Sequence, residues 1–186
     1  MKLLLNRFNE NSKIFNKISK KELIKFSKLC TFVKNCILQN NKIIIFGNGG
    51  SAADALHFSG ELIGKFKKKR NAYGCLCLNT NLSSITSIGN DMDFKYIFTR
   101  QLEANYSIGD YVIVLSTSGN SKNIIEAIKF LNKNNHKYCL MTGKTGGLSK
   151  NISRFSIKVP SDKVDQIQEI HYMMLHTICD YIESDT

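Results

Sequence analysis

The apolar residues of this chain follow two rhythms. Five short runs, Lys42 to Phe46, Tyr73 to Leu78, Tyr111 to Leu115, Lys137 to Thr142, and Phe155 to Val159 ending at Pro160, are rich in β-branched and aromatic residues. Their length and bounding turn residues predict strands, and the unbroken ones predict burial on both faces. Between them the apolar positions recur every three to four residues. Leu23, Phe26, Leu29, Phe32, Val33, Cys36 and Ile37 make one stripe in a helical segment covering residues 1 to about 38. Further helices are predicted near 52–66, 93–106 and 121–133, with a short one near 146–151 and a last one from about 163 to 183. Strands alternating with helices specify an α/β class: a doubly wound, five-stranded parallel sheet covered on both sides, with helices ahead of it. No repeat, low-complexity tract or composition shift divides the chain, so one domain over 1–186 is expected. Sheets of this kind hold ligands beyond the carboxyl ends of their strands.

Composition narrows the class. Hydrophobic residues make up 42% and charged residues 22% of the 186, as in a soluble globular domain. No apolar stretch approaches the ~20 residues of a membrane span, and Met1 to Arg7 has too short an apolar core for a secretory signal. The six cysteines, Cys30, Cys36, Cys75, Cys77, Cys139 and Cys179, form no C-x-x-C pair and sit mostly in apolar segments. They read as buried reduced thiols of a cytoplasmic protein. The net charge of +11 is spread along the chain, and its densest run, Lys65 to Arg70, lies at the end of a predicted helix, where cations complement the dipole. Attraction for an anionic substrate uses that charge more economically than nucleic-acid binding does, so no nucleic-acid partner is expected.

Two strand-to-helix turns carry the first chemistry. Ser116-Thr117-Ser118-Gly119-Asn120-Ser121 follows the third strand and opens a helix. Free backbone N–H groups of a first helical turn, adaptable hydroxyls and a glycine together suit a phosphate. The same residue types also make an ordinary helix cap, so the sextet alone is only suggestive. Gly47-Asn48-Gly49-Gly50-Ser51 follows the first strand. It has no Gly-Lys-Ser/Thr and lacks the last glycine of a dinucleotide fingerprint, and so reads as a floor of backbone amides for a sugar or sugar phosphate. After the second strand, Gly89-Asn90-Asp91 reads as a turn that caps a helix beginning near Asp93, with Asp91 available to sugar hydroxyls.

Two helices supply titratable groups. His57 and Glu61 are four apart and share a face, with His57 about two turns, or ~9 Å, beyond the glycine loop. Such a pair holds a divalent metal, works as acid and base, or is simply an exposed polar pair. The last helix carries Gln168, Glu169, His171, Tyr172 and His176. Helical spacing sets His176 with Tyr172 and Glu169, leaves Gln168 about 80° away, and puts His171 on another face. His136, in Asn134-Asn135-His136-Lys137, reads as a solvated loop residue.

Phe46 to His57, Glu61 to Gly64, Gly89 to Asp91, Ser116 to Ser121, and Gln168 to His176 together resemble the phosphoheptose isomerases of the sugar isomerase (SIS) fold. The resemblance spans nearly the whole chain. The serine sextet is common to SIS proteins, whereas the set His57, Glu61, Gln168 and His176 is far more specific. It implies a single SIS domain whose residues 1–38 pack an oligomer. It also implies conversion of sedoheptulose 7-phosphate to D-glycero-D-manno-heptose 7-phosphate through an enediol, opening nucleotide-activated heptose synthesis for lipopolysaccharide or capsule. By the same resemblance Glu61 is the base and His176 the acid. Ser116, Thr117, Ser118 and Ser121 hold the phosphate, and Asn48, Gly49, Gly50, Ser51, Asn90, Asp91 and Gln168 line the sugar. One zinc per subunit is bound by His57, Glu61, Gln168 and His176, in a homotetramer with sites at subunit interfaces. Two departures from the family pattern are Lys65 where arginine is usual, and a basic 66–72 stretch without proline. The alternative is a non-catalytic SIS protein binding a sugar phosphate or a replication initiator. Such proteins keep the serine loop without the glutamate and the final histidine.

Overall fold

The computed structural model describes residues 1–184; the last two positions of the expected 1–186 domain lie outside the described residues. Two helices come first, α1 (Lys2–Asn16) and α2 (Lys20–Leu38). Ser19 starts α2 because its hydroxyl accepts the Glu22 N–H at 3.3 Å, the first half of a capping box. Then follow β1 (Ile43–Gly47), α3 (Gly50–Ile63), β2 (Cys75–Cys77), α4 (Leu82–Asp91), a 3₁₀ turn at Phe94–Tyr96, α5 (Ile97–Asn105) and β3 (Tyr111–Ser116). The chain finishes with α6 (Lys122–Lys133), β4 (Tyr138–Thr142), α7 (Ser149–Ile152), β5 (Ser156–Lys158) and α8 (Val164–Glu183).

All five strands are parallel, in the order β2-β1-β3-β4-β5. Successive residues of each central strand feed opposite cores. Ile43, Ile45, Ile113, Leu115, Cys139 and Met141 pack with α2, α3 and α8 residues such as Leu29, Phe58 and Met174. Ile44, Phe46, Val112, Val114 and Leu140 pack with α5 and α6 residues such as Phe98 and Ile128. Burial on both faces is why these runs lack polar alternation. The strand order reverses direction between β1 and β3, so the loops after these two strands diverge to opposite faces and leave a crevice.

The structure differs from expectation in four places. The second strand is three residues long: ahead of it the Tyr73 N–H donates to the Leu62 carbonyl at 3.1 Å instead of to a strand, and after it the Asn79 amide accepts the Gly47 N–H at 3.2 Å and donates to the Gly47 carbonyl at 2.9 Å. Residues 82–91, expected as loop and turn, form α4. Its serines, threonine and glycine are weak helix formers, but Asn81 caps it by accepting the Ser84 N–H at 3.0 Å. Asn90 and Asp91 therefore end a helix rather than forming a turn, and Asp93 itself caps the next segment by accepting the Lys95 N–H. His136 is half-buried and not solvated: its ring stacks on Tyr106 at 3.6 Å, and burial lowers its pKa. The six cysteines are free thiols, five of them buried, and no helix among the described residues is long and apolar enough to cross a membrane.

Candidate active site

The crevice between β1 and β3 is closed from below by a side-chain pair. Asn48 and Asn123 exchange two amide hydrogen bonds of 2.9 Å, tying the glycine loop to the first turn of α6. Asn123 was not among the residues singled out from sequence. As the second residue of α6 it read as an ordinary polar helix position.

The serine loop is held from within. Ser116, 6% exposed, accepts the Gly119 N–H at 3.1 Å, and Ser118 accepts the Asn120 N–H at 3.2 Å. Gly119 adopts φ +65° and its carbonyl accepts the Ser149 N–H at 2.9 Å, so the loop is also packed against the segment after β4. Ser121 caps α6 by position but its side chain accepts no backbone N–H. The start of α6 thus keeps unsatisfied donors aimed past the sheet edge, and Thr117 and Ser121 keep hydroxyls without a partner among the described residues. The start of α3 likewise has no side-chain cap, with Gly49 in the capping position at φ +54°. Two uncapped helix starts beside one crevice make an electropositive concavity suited to an anion. Ser51 is buried, 3% exposed, and its N–H goes back to the Asn48 carbonyl, so its part is to shape the loop.

Helices α3 and α8 bring the titratable groups together. His57 Nε2 lies 3.0 Å from His176 Nε2, 3.1 Å from Glu61 Oε1 and 3.0 Å from the Tyr172 hydroxyl. One imidazole nitrogen carries at most one proton, so it cannot satisfy three partners at once. Crowding of donors around one point is the arrangement a bound cation resolves, and ligand atoms of His57, Glu61 and His176 all fall within 4.8 Å of one another. Two imidazoles and a carboxylate are a fitting donor set for zinc. Gln168, also on α8, lies over the first turn of α3 at Gly50, seven residues ahead of His57. The structure therefore brings His57, Glu61 and His176 of the expected ligand set together at the α3–α8 contact, and places Gln168 on the same contact at Gly50. Tyr172 and Phe66, whose ring lies 5.3 Å from that of His176, complete the wall. Phe66 carried no sequence signal, because only the fold of the basic stretch puts it there.

Asp54 lies one turn ahead of His57. Its Oδ2 is buried without a hydrogen bond, and burial raises its pKa to about 6 against the opposing influence of His57. Glu169 points away from the site and pairs with Arg7 and Asn11 of α1. Asn90 and Asp91 are exposed and hydrogen-bond to each other at 2.7 Å, with no hydrogen bond to either site loop among the described residues. His171, as its helical position predicts, is elsewhere: it is fully buried on the opposite face of α8.

Comparison with known proteins agrees with this geometry. The SIS domain family matches residues 8–143. Phosphoheptose isomerase 1 of Campylobacter jejuni is 38% identical over 183 residues, 97% of each chain. A probable phosphoheptose isomerase of Thermoplasma acidophilum is 45% identical over 151 residues, 81% of this chain and 83% of its own. The structure of the phosphoheptose isomerase from Neisseria gonorrhoeae superposes with a TM-score of 0.89 at 31% identity, covering 98% of both chains. With the sheet order, the two anion-facing loops and the His–Glu–His cluster in place, the chain belongs to the SIS domain family and, within it, to the phosphoheptose isomerases.

Proposed function

We propose that this chain is an aldose–ketose isomerase that interconverts sedoheptulose 7-phosphate and D-glycero-D-manno-heptose 7-phosphate. The observation that carries the reading is the convergence of Glu61 and His176 on His57 beside two uncapped helix starts. A serine loop alone grips a sugar phosphate; proton transfer needs a base and an acid within reach of the same carbons, and the non-catalytic alternative needs neither.

In this reading the phosphate rests on the start of α6, held by Ser116, Thr117, Ser118 and Ser121, and the sugar runs across Asn48, Gly49, Gly50 and Ser51 toward Gln168. Glu61 takes the proton between C1 and C2, and His176 serves the oxygens of the enediol. His57, Glu61, Gln168 and His176 would hold one zinc ion per subunit, whose Lewis acidity stabilises negative charge on the sugar oxygens. Metal binding would make the Glu61 carboxylate a poorer base, since it draws electron density from the same group that must take the proton.

The chain acts as one SIS domain in a cytoplasmic homotetramer, using residues 1–38 to pack the subunits. Support comes from α1, which buries only Ile14 in its own chain and leaves Leu3, Leu4 and Phe8 at 81%, 58% and 75% exposed. Asn90 and Asp91, exposed here, line the sugar in the assembled oligomer. The product enters nucleotide-activated heptose synthesis for lipopolysaccharide or capsule. Incubating the purified protein with sedoheptulose 7-phosphate, with and without a chelator, tests the proposal. Conversion that the chelator suppresses is expected, and no conversion under either condition overturns the isomerase reading.

A further inference from the structure

The basic stretch after α3 exposes its four lysines, Lys65, Lys67, Lys68 and Lys69, but not its arginine. Its last member, Arg70, is folded inward: its side chain is 7% exposed, and that of Glu183, near the end of α8, is 4% exposed. Arg70 Nε donates to Glu183 Oε1 at 2.9 Å, and Nη2 donates to the Glu61 carbonyl at 2.8 Å. Nη1 reaches the carbonyls of Leu62, Gly64 and Asn71 at 2.9, 3.4 and 3.0 Å. One guanidinium therefore closes the carboxyl end of α3, whose last carbonyls have no helical partners, and lies 4.0 Å above the Tyr73 ring. Glu183 in turn accepts the N–H groups of Phe66, Lys67 and Lys68 at 3.3, 2.9 and 2.9 Å. Burial alone would raise its pKa, but these donors and Arg70 lower it to about 2, so it is a carboxylate at any working pH.

The pair touches both sides of the site. Glu61 is held at its backbone by Arg70. His176 is seven residues before Glu183, two turns along one face of α8. Phe66, whose N–H is held by Glu183, carries the ring that lies on His176. Lys65, four residues after Glu61, is exposed and makes no hydrogen bond among the described residues, so it is the Arg70 guanidinium that ties this segment to Glu183 and to the Glu61 carbonyl.

We propose that Arg70 and Glu183 are positioning residues for the isomerase site: as one buried unit they fix the end of α3 and residues 66–68 against α8, and so set the distance between Glu61 and His176. The proposal rests on the functional reading above only for its activity readout.

The test compares wild type with Arg70→Lys, Glu183→Gln and, as a charge control in the same basic run, Lys69→Ala. Each is measured for kcat and KM with sedoheptulose 7-phosphate, for affinity toward Co²⁺ alone, and for the visible spectrum of the Co²⁺ complex. Arg70→Lys keeps the charge but loses the fork, so we expect kcat to fall at least about tenfold with KM nearly unchanged. Co²⁺ affinity should weaken and the spectrum should shift, while far-UV circular dichroism stays native and Lys69→Ala behaves as wild type. If Arg70→Lys does not fold, Glu183→Gln gives the same readouts. Folded variants with wild-type kcat, Co²⁺ affinity and spectrum overturn the proposal. An inactive wild-type protein whose Co²⁺ spectrum still shifts in Arg70→Lys rejects the isomerase reading and upholds the positioning role.

Discussion

Gln168 covers Gly50 so closely that a β-carbon on Gly50 would stand 2.3 Å from its Nε2 and 2.8 Å from its Cδ. Glycine at this position is what lets an α8 amide rest on the first turn of α3. The colliding group is the far end of a flexible side chain, so Gly50→Ala should push Gln168 aside at little cost to stability. The melting temperature should stay within a few degrees, while kcat/KM for the heptose phosphate drops at least about tenfold. Gln168→Ala should lose as much, and the double variant no more than either alone, since both remove one contact. Additive losses would show that Gln168 acts independently of Gly50.

Gly119 presents the opposite case. It combines φ +65° with a β-carbon position 2.1 Å from the Gly146 carbonyl oxygen, and that obstacle is backbone. Gly119→Ala should therefore displace the serine loop from the segment after β4 and cost roughly 2–4 kcal/mol in urea unfolding. The surviving folded protein should show a raised KM. A stability change below about 1 kcal/mol would mean that the loop is looser than its hydrogen bonds indicate.

Glu61 and His176 are both partly exposed, so replacing either with glutamine leaves the core intact. Glu61→Gln and His176→Gln should each reduce isomerase turnover by roughly 10²-fold or more, the usual worth of a positioned acid or base. Circular dichroism and melting should remain near wild type. Full activity in either variant rejects the assignment of that residue.

His171 gives a pH signature unrelated to catalysis. It is fully buried, neither ring nitrogen has a hydrogen-bond partner, and burial lowers its pKa to about 4, the Thr142 backbone opposing this only in part. Folded, it stays neutral below the ordinary histidine pKa of 6.5, whereas the unfolded chain takes up a proton there. The unfolded state thus binds more protons between pH 6.5 and about 4, and stability falls as pH drops through that window. The loss should reach roughly 2 kcal/mol by pH 5. His171→Met should show a shallower decline between pH 7.5 and 5 in urea unfolding. Parallel declines in the two proteins would exclude His171 as the source.

Much of the molecule was legible because its signals are local. The runs at Ile43–Phe46 and Tyr111–Leu115 are buried on both faces and so carry no polar residues to blur them. The apolar stripe from Leu23 to Ile37 announces α2 by its spacing, whereas the Ser19 cap that separates α2 from α1 carried no weight in that pattern. The helix at 82–91 was missed because its evidence is distributed: Ser83, Ser84, Thr86 and Gly89 argue against helix. Ile85 and Ile88 argue for it only once packing against α5 and the 3₁₀ turn is known. The site divides the same way. His57 and Glu61 share a face by helical spacing alone, and so do Tyr172 and His176.

The sequence by itself determined the alternation of strands and helices, the two polar turns at strand ends, and which residues share a helix face. Each of these follows from periodicity over a few residues. It could not determine that His57 meets His176 across 119 positions of chain, that Gln168 settles on Gly50, that Asn48 pairs with Asn123, or that Arg70 turns inward to Glu183. Those contacts depend on the strand order β2-β1-β3-β4-β5 and on α3 and α8 covering one face of that sheet. The packing of the whole core decides both, and no local pattern encodes the distance between two helices.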